Sequence, residues 1–237
     1  FPLFWGLVGL RLLLPFSIES ALSLLPTAET VSPSIVYESA PSIHSGLSSV
    51  NSAVNPVLSE ALAPDPSASV NPAQVLAFVL TLVWLAGAAL MLCYLAVSWL
   101  RVSFRLRTAV RLQDQIYQSE WARTPFLFGV IRPRIILPFS IGREEAAFVI
   151  AHEQAHLKRH DHWCKLFWFL LLSVYWCHPL LWLAWFLRCR DIELACDERV
   201  IGDMSREERA GYSQALLACS AQGRGKLVCP LAFGEAG

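Results

Sequence analysis

His152-Glu153-Gln154-Ala155-His156 is the stretch of this sequence with the most explicit chemistry. On a helix, positions i and i+4 project from one face about a turn apart. Both imidazoles can then reach one Zn²⁺ at roughly 2.0–2.1 Å. Glu153 follows the first histidine and points beside the metal, where its carboxylate can take a proton from a water molecule. The competing reading is a helix that happens to carry two surface histidines. The run Ala146–Ala151, AAFVIA, makes that helix too apolar for a surface one and weighs against it.

Catalytic zinc needs a third protein ligand and an open position. Downstream, Asp191-Ile-Glu193-Leu-Ala-Cys-Asp197 offers carboxylates on a predicted helix, with Glu193 and Asp197 again at i and i+4 on one face. The ExxxD pattern after HExxH resembles the glutamate-zincin arrangement, which implies Glu193 as third ligand and Asp197 as the carboxylate that braces a ligand histidine. Asp161, Asp191 and Asp197 remain alternative ligands, Cys196 is the less common choice, and a solvated acidic helix face is the plain reading. His178 is a weaker candidate, as a polar group that could stabilise an oxyanion.

These residues constrain the elements that carry them. Residues 144–162 read as a helix, acidic in its first turn and basic in its last. Residues 190–202 also look helical. Between them Leu166–Leu187 is an uncharged run of 22 residues. A single bilayer crossing there would put Glu193 about 30 Å from the histidines. The run is therefore expected to turn back at His178-Pro179, because proline removes a donor and disfavours helix before it. The result is an apolar helical hairpin over 163–189, either packed in the protein or dipped into the cytoplasmic leaflet. Five tryptophans (163, 168, 176, 182 and 185) suit an interfacial position. Upstream, Pro125–Phe139 reads as two short β runs joined around Arg132-Pro133, either plain core strands or an edge on which an extended substrate adds. Ser205-Arg-Glu-Glu208 is a capping box opening a last amphipathic helix to about Gln222.

The setting is a membrane. Val75–Leu100 holds 26 residues without a charge, and Arg101, Arg105, Arg107 and Arg111 follow directly. Residues 73–100 are the expected transmembrane helix, with its arginine end cytoplasmic and the Ser/Pro-rich stretch 26–72 an extracytoplasmic loop. Residues 1–25 are apolar apart from Arg11 and Glu19 and read as a second span, truncated at its start. The composition agrees: 55% of the 237 residues are hydrophobic and only 16% charged. Residues 1–100 hold one basic residue against five acidic ones, and the remainder holds 18 against 14. With no strongly basic patch, direct nucleic-acid binding is not expected. The seven cysteines form no CxxC pair and are read as reduced thiols. The fold class expected is mainly α: transmembrane helices plus a cytoplasmic zinc-protease domain over 101–237 with a short β element.

Taken in order, HEQAHLKRHD, WCHPLLW and DIELACDERV, with GVIRPRIILP and LRLLLPFSIES upstream, resemble the BlaR/MecR-type membrane zinc peptidases, bacterial sensor-transducers and antirepressors. The resemblance implies a multi-pass membrane protein with a gluzincin-like domain on the cytoplasmic side. It implies Zn²⁺ on His152, His156 and Glu193, and Glu153 as catalytic acid/base. The implied partners are membrane lipid and a protein substrate such as a transcriptional repressor, cleaved to relay an outside signal. Family members continue beyond both ends of this stretch. Two other readings stay open: a housekeeping membrane metalloprotease of the prenyl-protease or heat-shock type, and a non-catalytic transducer with structural zinc.

Overall fold

The computed structural model describes residues 2–14, 35, 42–45, 47–62, 72–202 and 204–222. It is mainly helical. In chain order the elements are α1 (Pro2–Leu13), α2 (Ser48–Leu62), α3 (Pro72–Arg105), β1 (Val110–Gln113), β2 (Ile116–Ser119), β3 (Phe126–Phe128), β4 (Arg134–Pro138), α4 (Arg143–Lys158), α5 (Asp161–Val174), α6 (Pro179–Ile201) and α7 (Arg206–Gln222). The chain divides into two units, residues 10–86 and residues 1–9 with 87–237.

Helix α3 is the one helix among the described residues long and apolar enough to cross a membrane. The second span expected over 1–25 is described only through α1, whose 12 residues reach about 18 Å and fall short of a crossing; residues 15–25 lie outside the described residues. The stretch read as a loop over 26–72 differs from expectation where it is described, because residues 48–62 form α2. That helix tolerates Pro56 in its interior, and Asn55 and Asn51 anchor the chain before it through the backbone N–H groups of Ile43 and Ser45, each at 2.9 Å.

The sheet runs β1-β2-β4-β3, with β2 and β4 parallel and the other pairs antiparallel. β3 and β4 are the two runs expected around Arg132-Pro133. β1 and β2 were not foreseen, since Val110–Gln113 is exposed throughout and carries no burial alternation. The period of two explains why β4 is apolar on both faces. Leu127, Ile135 and Leu137 pack with Val149 of α4 and Ile192 of α6. Phe128 and Ile136 face the other way, onto Val102 at the end of α3.

The helix predicted over 144–162 is instead two helices. His160 adopts φ 56°, in the left-handed region, so α4 ends at Lys158 and α5 begins at Asp161. The chain turns again at residues 175–178, with His178 donating its N–H to the Tyr175 carbonyl at 2.9 Å and Pro179 at the first position of α6. The second arm of this hairpin does not stop at 189. It continues through Glu193 and Asp197 to Ile201 as one helix.

The hairpin tip lies against the middle of α3. A Cβ at Gly87 would overlap the indole of Trp176, and Gly87 is central in the uncharged run 75–100. Gly87→Val should therefore lower the thermal midpoint of the purified protein, by an overpacking cost of about 1–3 kcal/mol, and Trp176→Ala in the same chain should recover most of that loss.

Candidate metal centre

Three elements bring the candidate residues to one point. α4 carries His152, Glu153 and His156, and its first turn is tied by Glu145, which accepts the Gly142 N–H at 3.4 Å. The left-handed turn at His160 swings Asp161 back under α4, where it is 2% exposed and its Oδ2 lies 2.9 Å from His156 Nδ1. α6 passes the open side of the two imidazoles. Its Glu193 Oε2 stands 3.2 Å from His156 Nε2 and 3.7 Å from His152 Nε2.

The protons can be assigned. The Tyr212 hydroxyl on α7 donates to Asp197 Oδ1 at 2.7 Å, so its oxygen accepts the Nδ1–H of His152, also at 2.7 Å. Asp197 Oδ1 is itself 3.1 Å from that nitrogen. His156 Nδ1–H donates to Asp161 in the same way. Each ring thus spends its proton on the far side and turns an Nε2 lone pair inward. The two Nε2 atoms are 3.2 Å apart with Glu193 Oε2 beside them. Three acceptors at that spacing repel one another unless a cation sits between them. Donors around a tetrahedral zinc at 2.0–2.1 Å stand about 3.3 Å apart, so the residues present fit that ion.

The charge balance points the same way. Burial would push the His152 imidazole down, but Asp197 and Glu193 hold it up to about 10. Burial likewise opposes His156, which Asp161, Cys196 and Glu193 hold up to about 11. Burial would raise Glu193, yet the two histidines and Lys165 keep it far below the ordinary carboxylate range. The carboxylates around the two rings hold their protons well above the ordinary imidazole range, so the space between the rings favours positive charge.

Glu153 behaves differently. It is 4% exposed, its Oε2 has no hydrogen-bond partner among the described residues, and burial pushes its carboxyl up to about 7 although both histidines draw it down.

The other expected residues separate. Asp161 and Asp197 sit on the outer ring nitrogens, away from the two Nε2 atoms. Asp191 accepts the Trp5 indole N–H at 2.7 Å and is committed to α1. Cys196 is fully buried; its thiol donates to the His152 carbonyl at 3.4 Å, and its sulfur and the two imidazoles lie within 4.8 Å of one another. His178 caps the far end of α6, about 22 Å along the helix from Glu193, too far to serve the same centre. Two residues escaped the sequence reading. Lys165, buried on α5, donates to Glu193 Oε1 at 3.4 Å, and its only signal was the i, i+4 spacing from Asp161. Tyr212 had none.

The family described as BlaR1 peptidase M56 matches residues 3–234. The regulatory protein BlaR1 of Bacillus licheniformis is 35% identical over 103 residues, 42% of this chain and 17% of that protein. The methicillin resistance mecR1 proteins of Staphylococcus aureus and Staphylococcus epidermidis are each 28% identical over 100 residues, 40% of this chain and 17% of theirs. The matched stretch thus spans about a sixth of these relatives' length.

Two outcomes are expected. In zinc titrations, Glu193→Ala should lose affinity by more than the 10–100-fold typical of removing an orienting partner. Tyr212→Phe should lose about tenfold, because Asp197 still accepts the His152 proton, and Cys196→Ala should keep wild-type affinity. Zinc lost with Cys196 and kept without Glu193 would make the thiolate the third ligand. The second outcome concerns pH. The Glu153 carboxyl is raised in the folded state from 4.5 to about 7, so its contribution to stability is complete below 4.5 and lost as pH climbs to about 7. In chelated protein, Glu153→Gln should match wild type at about pH 4.5 and exceed it at about pH 8 by up to about 3 kcal/mol in thermal unfolding.

Proposed function

The chain belongs to the BlaR1 peptidase M56 family, and from that premise we propose that it is a membrane-anchored zinc endopeptidase of the gluzincin type. The observation that carries this reading is the convergence of His152 Nε2, His156 Nε2 and Glu193 Oε2 within 3.2–3.7 Å of one another, beside a buried Glu153 whose Oε2 has no hydrogen-bond partner among the described residues.

A zinc ion held by these three groups supplies a Lewis acid that lowers the pKa of a water towards about 7 and polarises a carbonyl. The remaining work falls to the chain's own side chains. Asp161 and the Tyr212–Asp197 pair keep the imidazoles in the Nδ1–H tautomer, so both stay ligands through turnover. Lys165 holds Glu193 Oε1 and leaves Oε2 to face the centre. Glu153 Oε2 accepts the proton of the attacking water and returns it to the leaving amine. A carboxyl poised at about 7 suits both transfers. The free edge of β3, next to α4, supports binding of an extended peptide as an added strand.

Position supports a membrane-surface enzyme. The hairpin tip is level with Gly87 at mid-span, and Glu193 lies about 22 Å from that tip along α6. That spacing supports a centre near the headgroup layer on the arginine-bearing side of α3, which the positive-inside rule would make cytoplasmic. The substrate proposed is a cytosolic regulator, such as a transcriptional repressor, cleaved in response to an outside signal. The relatives' printed names, a regulatory protein and a methicillin resistance protein, favour that role over housekeeping proteolysis. The chain itself makes no direct nucleic-acid contact in this scheme.

Glu153→Gln keeps the size and polarity of the side chain and removes its basicity. It should retain wild-type zinc content while hydrolysis of a co-expressed repressor substrate falls by at least 10²–10⁴-fold. Cleavage at the wild-type rate by the zinc-loaded variant would remove Glu153 from the reaction.

A further inference from the structure

Where α3 leaves its apolar run, a cavity of about 640 Å³ opens between the helix end and the sheet, away from the candidate metal centre. Arg107, Arg132 and Arg134 line it, and no Asp or Glu does. Among the described residues none of the three is paired with a carboxylate. Arg134 is instead held over the Tyr117 ring at 5.0 Å and Arg107 over the Phe104 ring at 4.3 Å. The guanidinium donors thus remain available in fixed positions. The turn that presents Arg132 is closed by Gly129 at φ 112°, where a Cβ would meet the Arg132 carbonyl oxygen at 2.8 Å.

The rest of the wall is apolar. Trp99 stacks on Phe128 with ring centroids 6.3 Å apart, and Ile131 at the rim is 86% exposed. An aqueous anion would use the arginines and leave these groups without purpose. Depth resolves the combination. Counting from Gly87 at mid-span, Trp99 to Leu106 lie about 18–28 Å along α3 and the turn after it, whereas the hydrocarbon half-thickness is about 15 Å. The cavity therefore sits at headgroup level.

We propose that this cavity binds the phosphodiester headgroup of an anionic phospholipid from the adjoining leaflet. The arginines take the phosphate oxygens, and Trp99, Phe128 and Ile131 line the path of the acyl chains. The inference rests on α3 crossing the membrane. Because β4 carries Arg134 and packs against α4, an occupied cavity ties the sheet beside the candidate metal centre to the lipid surface.

The test is native mass spectrometry of the detergent-purified chain titrated with phosphatidylglycerol, phosphatidylcholine or inorganic phosphate. Wild type should retain phosphatidylglycerol in preference to phosphatidylcholine. Arg107→Gln, Arg132→Gln and Arg134→Gln should each weaken that retention by about fivefold. Arg123→Gln, exposed and outside the lining, should not change it, and zinc content should be unaffected throughout. Equal retention of the two lipids, or indifference to the three substitutions, would overturn the proposal. Saturation by inorganic phosphate at the same concentration would also overturn it, making this a soluble-anion site. An alkaline carbonate wash of the membranes separates the premise from the proposal. Release of the chain would refute the crossing itself, while a chain that stays in the membrane without lipid preference refutes only the cavity's role.

Discussion

Three electron pairs aimed at one point are the constraint around which this structure is arranged. His152 Nε2, His156 Nε2 and Glu193 Oε2 lie at 3.2–3.7 Å, and each ring already has an acceptor at its outer nitrogen, so the space between them takes either a proton or another cation. Such a cluster is unfavourable as an isolated set of neutral rings and a carboxylate. It is favourable around a cation. Each neighbouring element can be understood by what it does for that geometry. The break at His160 returns Asp161 to His156. The docking of α7 delivers Tyr212 to His152. The hairpin returns α6 so that its carboxylate faces the rings from the same side.

The hairpin also explains why so apolar a segment lies between two parts of a polar site. One continuous helix of 23 residues begins with Pro-Leu-Leu-Trp and ends with the turns that carry Glu193 and Asp197. Its first half leaves Leu180, Leu183 and Phe186 exposed, and its second half buries Ile192 and Cys196 against α4. Rigidity passes along the helix without a joint. The tip and Glu193 are thus joined by one continuous helix, whereas two helices separated at 189 would have left a joint between them.

Local periodicity made the pairing of His152 with His156 and of Glu193 with Asp197, and the turn at His178-Pro179, legible in the sequence. Helix geometry puts i and i+4 on one face wherever the helix lies, and proline marks a break by its own covalent structure. The features that stayed hidden depend on tertiary contact. Nothing in His-Leu-Lys-Arg-His-Asp-His announces a left-handed residue, since glycine and asparagine are absent and His160 is held there by what Asp161 gains at His156. Tyr212 looks like any aromatic on an amphipathic helix until α7 packs on α4. β1 lacks alternation because its residues are exposed on both faces. The helix at 48–62 was obscured by Pro56 and a run of serines and asparagines with low helix propensity.

Lys165, after the two histidines, is one of the groups by which the two carboxylates of the centre differ. A buried lysine beside Glu153 would hold that carboxylate ionised at low pH and strip it of any use as a proton carrier near neutrality. The lysine instead reaches Glu193 Oε1, and Glu193 stays ionised. Glu153 is left buried with an unpartnered oxygen, a costly arrangement in a folded protein, and its proton affinity rises to the range where it can both take and give. Contacts to the histidines and Lys165 at Glu193, and burial at Glu153, thus separate a lasting anion from a reversible base within one pocket. This is the pattern in which paired carboxylates acquire different roles through environment alone. The instability stored at Glu153 is accordingly not a defect of packing, because filling its vacant partner would remove the only group in the pocket whose protonation changes near pH 7.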